Sequence, residues 1–215
     1  MNKIGIIEAL LSWYKINGKD YPFRKTKDPY RILVSEMLLR KTTARQVAAV
    51  YEEFFNEFPK VANLASAPCE KVLDIIRPLG LHQRAAHLIQ LARVIDEKFG
   101  GAVPNSVEEL TSMEGVGRYT ANCVMAFSFG ANLPLVDSNV ERVLCRFRSI
   151  RQSKGHPGEE VWRTYASFLP DNRLRTIHYA LIDLSHEICR PSDPLCHTCP
   201  LSKHCRYFEG QHTKI

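Results

Sequence analysis

Met113-Glu114-Gly115-Val116-Gly117-Arg118-Tyr119 lies inside a stretch, residues 106–130, that reads as helix, short glycine turn, and a second helix through Tyr119, Val124 and Phe127. Where a Gly-x-Gly turn enters a helix, backbone N–H groups of the turn and of the first helical turn can face outward together. Gly115, Val116, Gly117 and Arg118 are therefore a candidate anion site, suited to a phosphate and blind to base identity. The plain alternative is a connector between two helices.

Outward from this hairpin the apolar period stays helical. Ile4, Ile7, Leu11 and Tyr14 share one predicted face, as do Val47, Val50, Tyr51 and Phe54, then Leu88, Leu91, Ala92 and Ile95, and later Leu174, Ile177, Leu181, Leu184 and Ile188. No sustained period-2 segment is present. Asp28-Pro29 supplies an N-cap followed by proline at the first helical position, while Thr43-x-x-Gln46 and Ser106-x-x-Glu109 read as capping boxes. Gly100-Gly101 and Gly130 mark helix ends. The prediction is an all-α protein of about ten helices. Asn132-Leu133-Pro134-Leu135 reads as a crossover between two lobes and Pro22 as a boundary before the first, with the N-terminal helix returning to the C-terminal lobe.

The chain has 215 residues and a net charge of +6, with 45% hydrophobic and 24% charged residues. That balance excludes wholesale disorder and collagen, and no apolar run approaches the length of a membrane span. The expectation is a soluble intracellular protein, and the basic excess admits an anionic partner without demanding one. Of the seven cysteines, Cys69, Cys123 and Cys145 are isolated and are expected to be buried packing residues. The other four form Cys189-x6-Cys196-x2-Cys199-x5-Cys205, a loop carrying Pro191, Pro194 and Pro200. So little apolar content points to a metal centre as the ordering element, and four thiolates suit either tetrahedral zinc or an iron-sulfur cluster.

Two carboxylates stand out. Asp137 follows the apolar approach Leu135-Val136 and precedes a helical stretch beginning at Asn139, where a helix N-terminus favours an anion; the bland reading is an ordinary N-cap. Glu36 lies at helical spacing from Ile32, Leu33 and Leu39 in a strongly apolar helix, a costly place for an acid without a partner, a task or a route to solvent.

The hairpin Gly115-Val116-Gly117, Asp137 some twenty residues later and the Cys-x6-Cys-x2-Cys-x5-Cys tail together resemble the helix-hairpin-helix DNA glycosylases of the endonuclease III superfamily. The resemblance runs from Pro22-Phe23-Arg24 and Asp28-Pro29-Tyr30 to Cys205. It implies an all-α, two-lobed fold: a six-helix barrel lobe at 22–132, and a lobe of 1–21 plus 133–215 bearing a 4Fe-4S cluster on Cys189, Cys196, Cys199 and Cys205 within the loop 189–205. DNA is expected in the cleft between the lobes. Two positions depart from the pattern: Met113-Glu114 stands where Leu-Pro is usual, and Phe23 where tryptophan is usual.

Bifunctional members carry a lysine two positions after the second hairpin glycine, whose amine forms a Schiff base with the sugar. Here that residue is Tyr119, and a phenol forms no imine. Tyrosine at this position, and the segment Ser35-Glu36-Met37-Leu38-Leu39-Arg40-Lys41-Thr42-Thr43, look like the thymine-DNA mismatch glycosylases; a chain that stops soon after the cysteine loop fits that branch too. The resemblance implies a monofunctional base excision repair enzyme, acting as a monomer on double-stranded DNA in the cytoplasm at the nucleoid. It would hydrolyse the N-glycosidic bond of thymine or uracil opposite guanine. Asp137 would stabilise the oxocarbenium-like sugar, Asn139 would support it, Glu36 would assist the departing base and Tyr119 would line its pocket. Lys41 and Leu81 would fill the vacated space in the duplex, and Gly115, Val116, Gly117 and Arg118 would hold phosphate, helped by Lys203 and Arg206. Two further readings stay open: adenine removal at A·G mispairs, and a non-catalytic iron-sulfur DNA-binding protein.

Overall fold

The computed structural model describes residues 3–80, 82–168 and 173–212. Among the described residues there are helices and no strands: α1 (Lys3–Asn17), α2 (Pro29–Leu39), α3 (Ala44–Glu57), α4 (Val61–Ala65), α5 (Cys69–Ile76), α6 (Gln83–Phe99), α7 (Val107–Ser112), α8 (Arg118–Ser128), α9 (Ser138–Arg148), α10 (Glu159–Phe168), α11 (Leu174–Glu187) and α12 (Arg206–His212), with short 3-10 turns between some of them. The chain divides into two units, Asp20–Ala131 and Met1–Lys19 with Asn132–Ile215. No described helix is long and apolar enough to cross a membrane.

In the unit Asp20–Ala131, α2 packs on α8 and α3, and α6 packs on α4 and α5. Leu33, Leu38, Phe54, Leu64, Ile76, Leu88, Ile95 and Leu110 are fully enclosed there. Local chemistry starts these helices. Asp28 caps α2 by accepting from Tyr30 N at 2.8 Å and Arg31 N at 3.3 Å, and Pro29 leads the helix without an N–H to satisfy. Thr43 and Gln46 form a full capping box on α3. Gly100, left-handed at φ 60°, ends α6.

Tyr30, Tyr51, Phe54, Phe55 and Phe58 build an aromatic cluster with edge contacts of 4.7–5.6 Å. The Tyr30 hydroxyl donates to the Phe58 carbonyl at 2.9 Å, and burial pushes its phenol well above the ordinary range. Phe23 is buried and tilts against Tyr51 at 6.5 Å, so its ring extends this cluster from the position where tryptophan was expected.

In the other unit α1 and α9 both pack on α11, and α10 and α12 pack on α9. Lys19 N donates to the buried Asp183 Oδ2 at 2.8 Å, and Arg173 pairs with Glu8 at 2.7 Å, fastening α1 at its middle and just past its C-terminal end. Residues 131–137 run without helix, yet Leu135 and Val136 are 0% and 1% exposed. This buried approach fixes where α9 begins.

Three local expectations are corrected. Ser106 caps α7 through Glu109 N, but its hydroxyl donates to Glu108 Oε2 at 2.9 Å, so Glu109 does not close a capping box. Cys69 is exposed because it opens α5 beyond the end of the buried stripe of Val72, Ile75 and Ile76; Cys123 and Cys145 are buried. The inward face of α1 is Ile6, Ile7 and Leu10, while Ile4 is 69% exposed. Ile4 lies among the three residues that open the helix, all of them exposed.

Candidate active site

Asp137 is the N-cap of α9 and is half-buried. Its Oδ1 accepts from Val140 N at 2.7 Å and from Asn139 N at 3.0 Å, and Oδ2 accepts from Asn139 Nδ2 at 3.0 Å. Two backbone donors on one oxygen fix the carboxylate plane, and the positive end of the helix favours the anion. The capping and functional readings are thus compatible: Oδ1 caps, while Oδ2 is held by a single side-chain amide.

Asn139 is itself oriented. Arg142 Nη1 donates to Asn139 Oδ1 at 3.2 Å, Nε to the Cys189 carbonyl at 3.0 Å and Nη2 to the Ser185 carbonyl at 3.1 Å. Burial lowers the Arg142 guanidinium below the usual arginine range, against the opposing pull of Cys189. The structure therefore brings Asp137, Asn139 and the first loop cysteine into one hydrogen-bonded series.

One turn along α9, Arg146 grips the same loop. Its Nη1 donates to the Arg190 carbonyl at 2.6 Å and reaches Cys189 Sγ at 3.5 Å, Nη2 donates to the Pro191 carbonyl at 2.8 Å, and the guanidinium covers the Tyr207 ring at 5.1 Å. Cys189, Cys196, Cys199 and Cys205 form no disulfide and share one electrostatic neighbourhood. Burial pushes Cys199 up to about 11 and raises Cys196 and Cys205, with the neighbouring cysteines adding to each shift. Among the described residues no three His, Cys, Asp or Glu side chains close on a single metal ion. Four thiols are a donor set that suits either zinc or an iron-sulfur cluster.

Of the remaining predicted residues, Lys203 and Arg206 are exposed at the end of the cysteine loop, and the others belong to the unit Asp20–Ala131. Gly115 needs its glycine: φ is 80°, and an added Cβ would lie 3.2 Å from Met37 Cε. Val116 is buried and its N–H donates to the Met113 carbonyl at 3.1 Å, while Met113 itself is buried and Glu114 exposed. Methionine thus supplies the apolar contact expected of leucine. Gly117 caps α8 with no side-chain acceptor, leaving Arg118 and Tyr119 to open the helix, the first exposed and the second half-buried. Glu36 is 8% exposed on α2, buried beside Leu33 and Met37.

Lys41 is exposed at φ 55°, a left-handed conformation that costs a non-glycine residue on the order of 1 kcal/mol. Leu81 lies outside the described residues. The turn of Lys41 and the hairpin meet: Arg40 Nη1 donates to the Gly115 carbonyl at 2.9 Å. A cavity of about 340 Å³ opens among Met37, Arg40, Lys41, Arg84, His87 and Met113. Arg40, Arg84, Arg142 and Arg146 were not expected as site residues, because each acts on carbonyls distant in sequence. The only local signal was the basic excess itself.

The chain matches the family described as HhH-GPD superfamily base excision DNA repair protein over residues 34–167. The thymine-DNA glycosylase of Aeropyrum pernix is 43% identical, over 96% of this chain and 97% of that one. The thymine/uracil-DNA glycosylase of Methanothermobacter thermautotrophicus is 34% identical, over 94% and 93%. Among solved structures, a thermostable thymine-DNA glycosylase superposes with a TM-score of 0.89 at 33% identity, covering 97% of each chain. With the all-helical fold, the Gly115–Gly117 hairpin and these relatives together, the chain belongs to the HhH-GPD superfamily of base excision DNA repair proteins.

Proposed function

We propose that this base excision glycosylase is monofunctional and hydrolyses the N-glycosidic bond of thymine or uracil mispaired with guanine in double-stranded DNA, acting as a monomer. The observation that carries the reading is a carboxylate fixed at Asp137 in a chain that has a phenol, Tyr119, at the sequence position where a Schiff-base enzyme needs an amine. The likeness to thymine and thymine/uracil glycosylases supports the choice of base.

The target nucleotide must leave the stack before its bond is cut, at a cost of a few kcal/mol that a mispair lowers. As the C1′–N bond breaks, positive charge grows on the sugar, and Oδ2 of Asp137 stabilises it. Asn139 holds that oxygen in place. Water then adds to C1′ and loses a proton, while the departing base takes up one, with Glu36 serving the base side and Tyr119 lining its pocket. The hairpin of Gly115, Val116 and Gly117 with Arg118 holds a phosphate, and Lys41 and Leu81 enter the vacated space.

In this reading Asp20–Ala131 includes the six-helix barrel and the other unit is the cluster-bearing lobe, with Cys189, Cys196, Cys199 and Cys205 holding a 4Fe-4S group. That group supplies structural order to a loop with little apolar content of its own. Duplexes carrying G·T, G·U or A·G, incubated with the protein and then heated in alkali, test the proposal. Breaks at T and U opposite G are expected. Breaks at A alone overturn it in favour of adenine removal, and binding without any break overturns it in favour of a non-catalytic role.

A further inference from the structure

Leu39 to Thr42 form a type II turn. Thr42 N–H donates to the Leu39 carbonyl at 3.3 Å, Arg40 is extended at φ −66°, ψ 120°, and Lys41 follows at φ 55°. The third position of such a turn ordinarily falls to glycine or asparagine. A lysine persists there only if its surroundings fix the flipped Arg40–Lys41 peptide.

Arg84, 7% exposed near the start of α6, does this. Its Nη2 donates to the Arg40 carbonyl, and Nη1 donates to the Leu38 carbonyl at 2.7 Å and to Thr42 Oγ1 at 2.9 Å. Types I and II differ by rotation of the central peptide, so a donor on the Arg40 carbonyl selects between them. A second brace lies beside it. Gln46 accepts from Thr43 N at 3.2 Å and donates from Nε2 to the Pro78 carbonyl at 3.3 Å, tying the chain after the Lys41 turn to the segment that enters Gly80. Arg40 carries the connection on to Gly115 in the hairpin.

We propose that Arg84 is the positioning residue for DNA insertion: it holds Lys41 in a strained turn, which Gln46 ties to the 77–80 segment and Arg40 to the hairpin. The inference rests on the reading that Lys41 enters the opened mispair. Arg84 directs its donors to the Leu38 and Arg40 carbonyls and Thr42 Oγ1, so its buried guanidinium converts the fold of α6 into the placement of one exposed lysine.

The test is a double-mutant cycle on full-length protein, with 2-aminopurine beside the mispaired thymine of a G·T duplex. Its fluorescence rises when the stack opens and requires no base release. Arg84→Met is expected to cut both this rise and single-turnover thymine release by about ten-fold or more, as misplacement of a reacting or positioning group does. Arg84→Lys, which keeps the charge and can still reach one carbonyl, is expected to recover part of each, and it serves if Arg84→Met does not fold. In a Lys41→Ala background the same Arg84 changes are expected to cost less than about two-fold, since the group they position is gone. Equal losses in both backgrounds, or an Arg84→Met protein that opens the mispair normally, overturn the inference. A wild-type protein that opens the mispair but releases neither thymine nor uracil overturns the glycosylase reading and leaves the cycle readable. One that opens no mispair overturns the insertion reading and this inference together.

Discussion

Arg142 Nη1 donates to Asn139 Oδ1 at 3.2 Å. Because Asn139 Nδ2 donates in turn to Asp137 Oδ2 at 3.0 Å, the guanidinium selects the amide orientation that holds the carboxylate. Arg142→Met removes that selection along with the links to the Ser185 and Cys189 carbonyls. The expected outcome is a fall of roughly 10–100-fold in single-turnover base release, a magnitude common for residues that orient a functional ligand. Binding to an uncleavable G·T duplex analogue should change by less than about three-fold, which a band-shift titration checks.

Tyr119→Lys should place an amine where the bifunctional enzymes have one. Strand cleavage without alkali and a borohydride-trapped adduct with DNA are expected of the variant and of the variant only. Denaturing gels read both, and an adduct with the wild-type protein contradicts the monofunctional reading.

The cysteine loop should depend on its bound group for order. Leu201 is its one buried residue among those described between Cys189 and Cys205, so apolar burial contributes little there. Cys199→Ser is expected to abolish iron-dependent visible absorbance and to open the 190–205 segment to limited proteolysis, with helical circular dichroism largely kept. Since burial raises Cys199 to about 11 and lifts Cys196 and Cys205, these three thiols are protonated at neutral pH when metal-free. Loading then releases protons and should grow more favourable as pH rises from about 6 to 8. Loading that weakens with rising pH contradicts this.

Cys145 yields a pH dependence of stability. Burial, reinforced by Glu141 and Glu160, raises its thiol from 9.0 to about 11. Between those values the unfolded chain has lost the proton and the folded protein keeps it, so the unfolded state binds fewer protons and stability falls as pH rises. The contribution is complete below about pH 9 and its loss levels off above about 11. Denaturant titrations across this window should show a shallower decline for Cys145→Ala than for wild type, and parallel declines contradict the assignment.

Local rules were enough for much of the fold. The stripes of α3, α6 and α11 and the caps at Asp28 and Thr43 depend on spacings of three or four residues, and those periods survive in the structure. The inward face of α1 was misjudged because packing against α11, distant in sequence, decides it. The same holds for the site. Asp137 and Asn139 are two residues apart and were visible as a pair, whereas Arg84 bonds to carbonyls 44 and 46 residues away and Arg142 to one 47 away. A lone arginine on a helix carries no local mark of such a partner.

The central claim is that the Asp137 carboxylate, unaided by an amine, drives base loss. Asparagine is as good an N-cap as aspartate, so Asp137→Asn keeps the start of α9 while removing the charge. Single-turnover thymine release from a G·T duplex, compared between wild type and Asp137→Asn at equal DNA occupancy, measures that charge directly. The account predicts rapid release by wild type, with strand breaks appearing only after alkali, and a loss of at least about 100-fold in the variant with binding retained. Release by Asp137→Asn at close to the wild-type rate would contradict it.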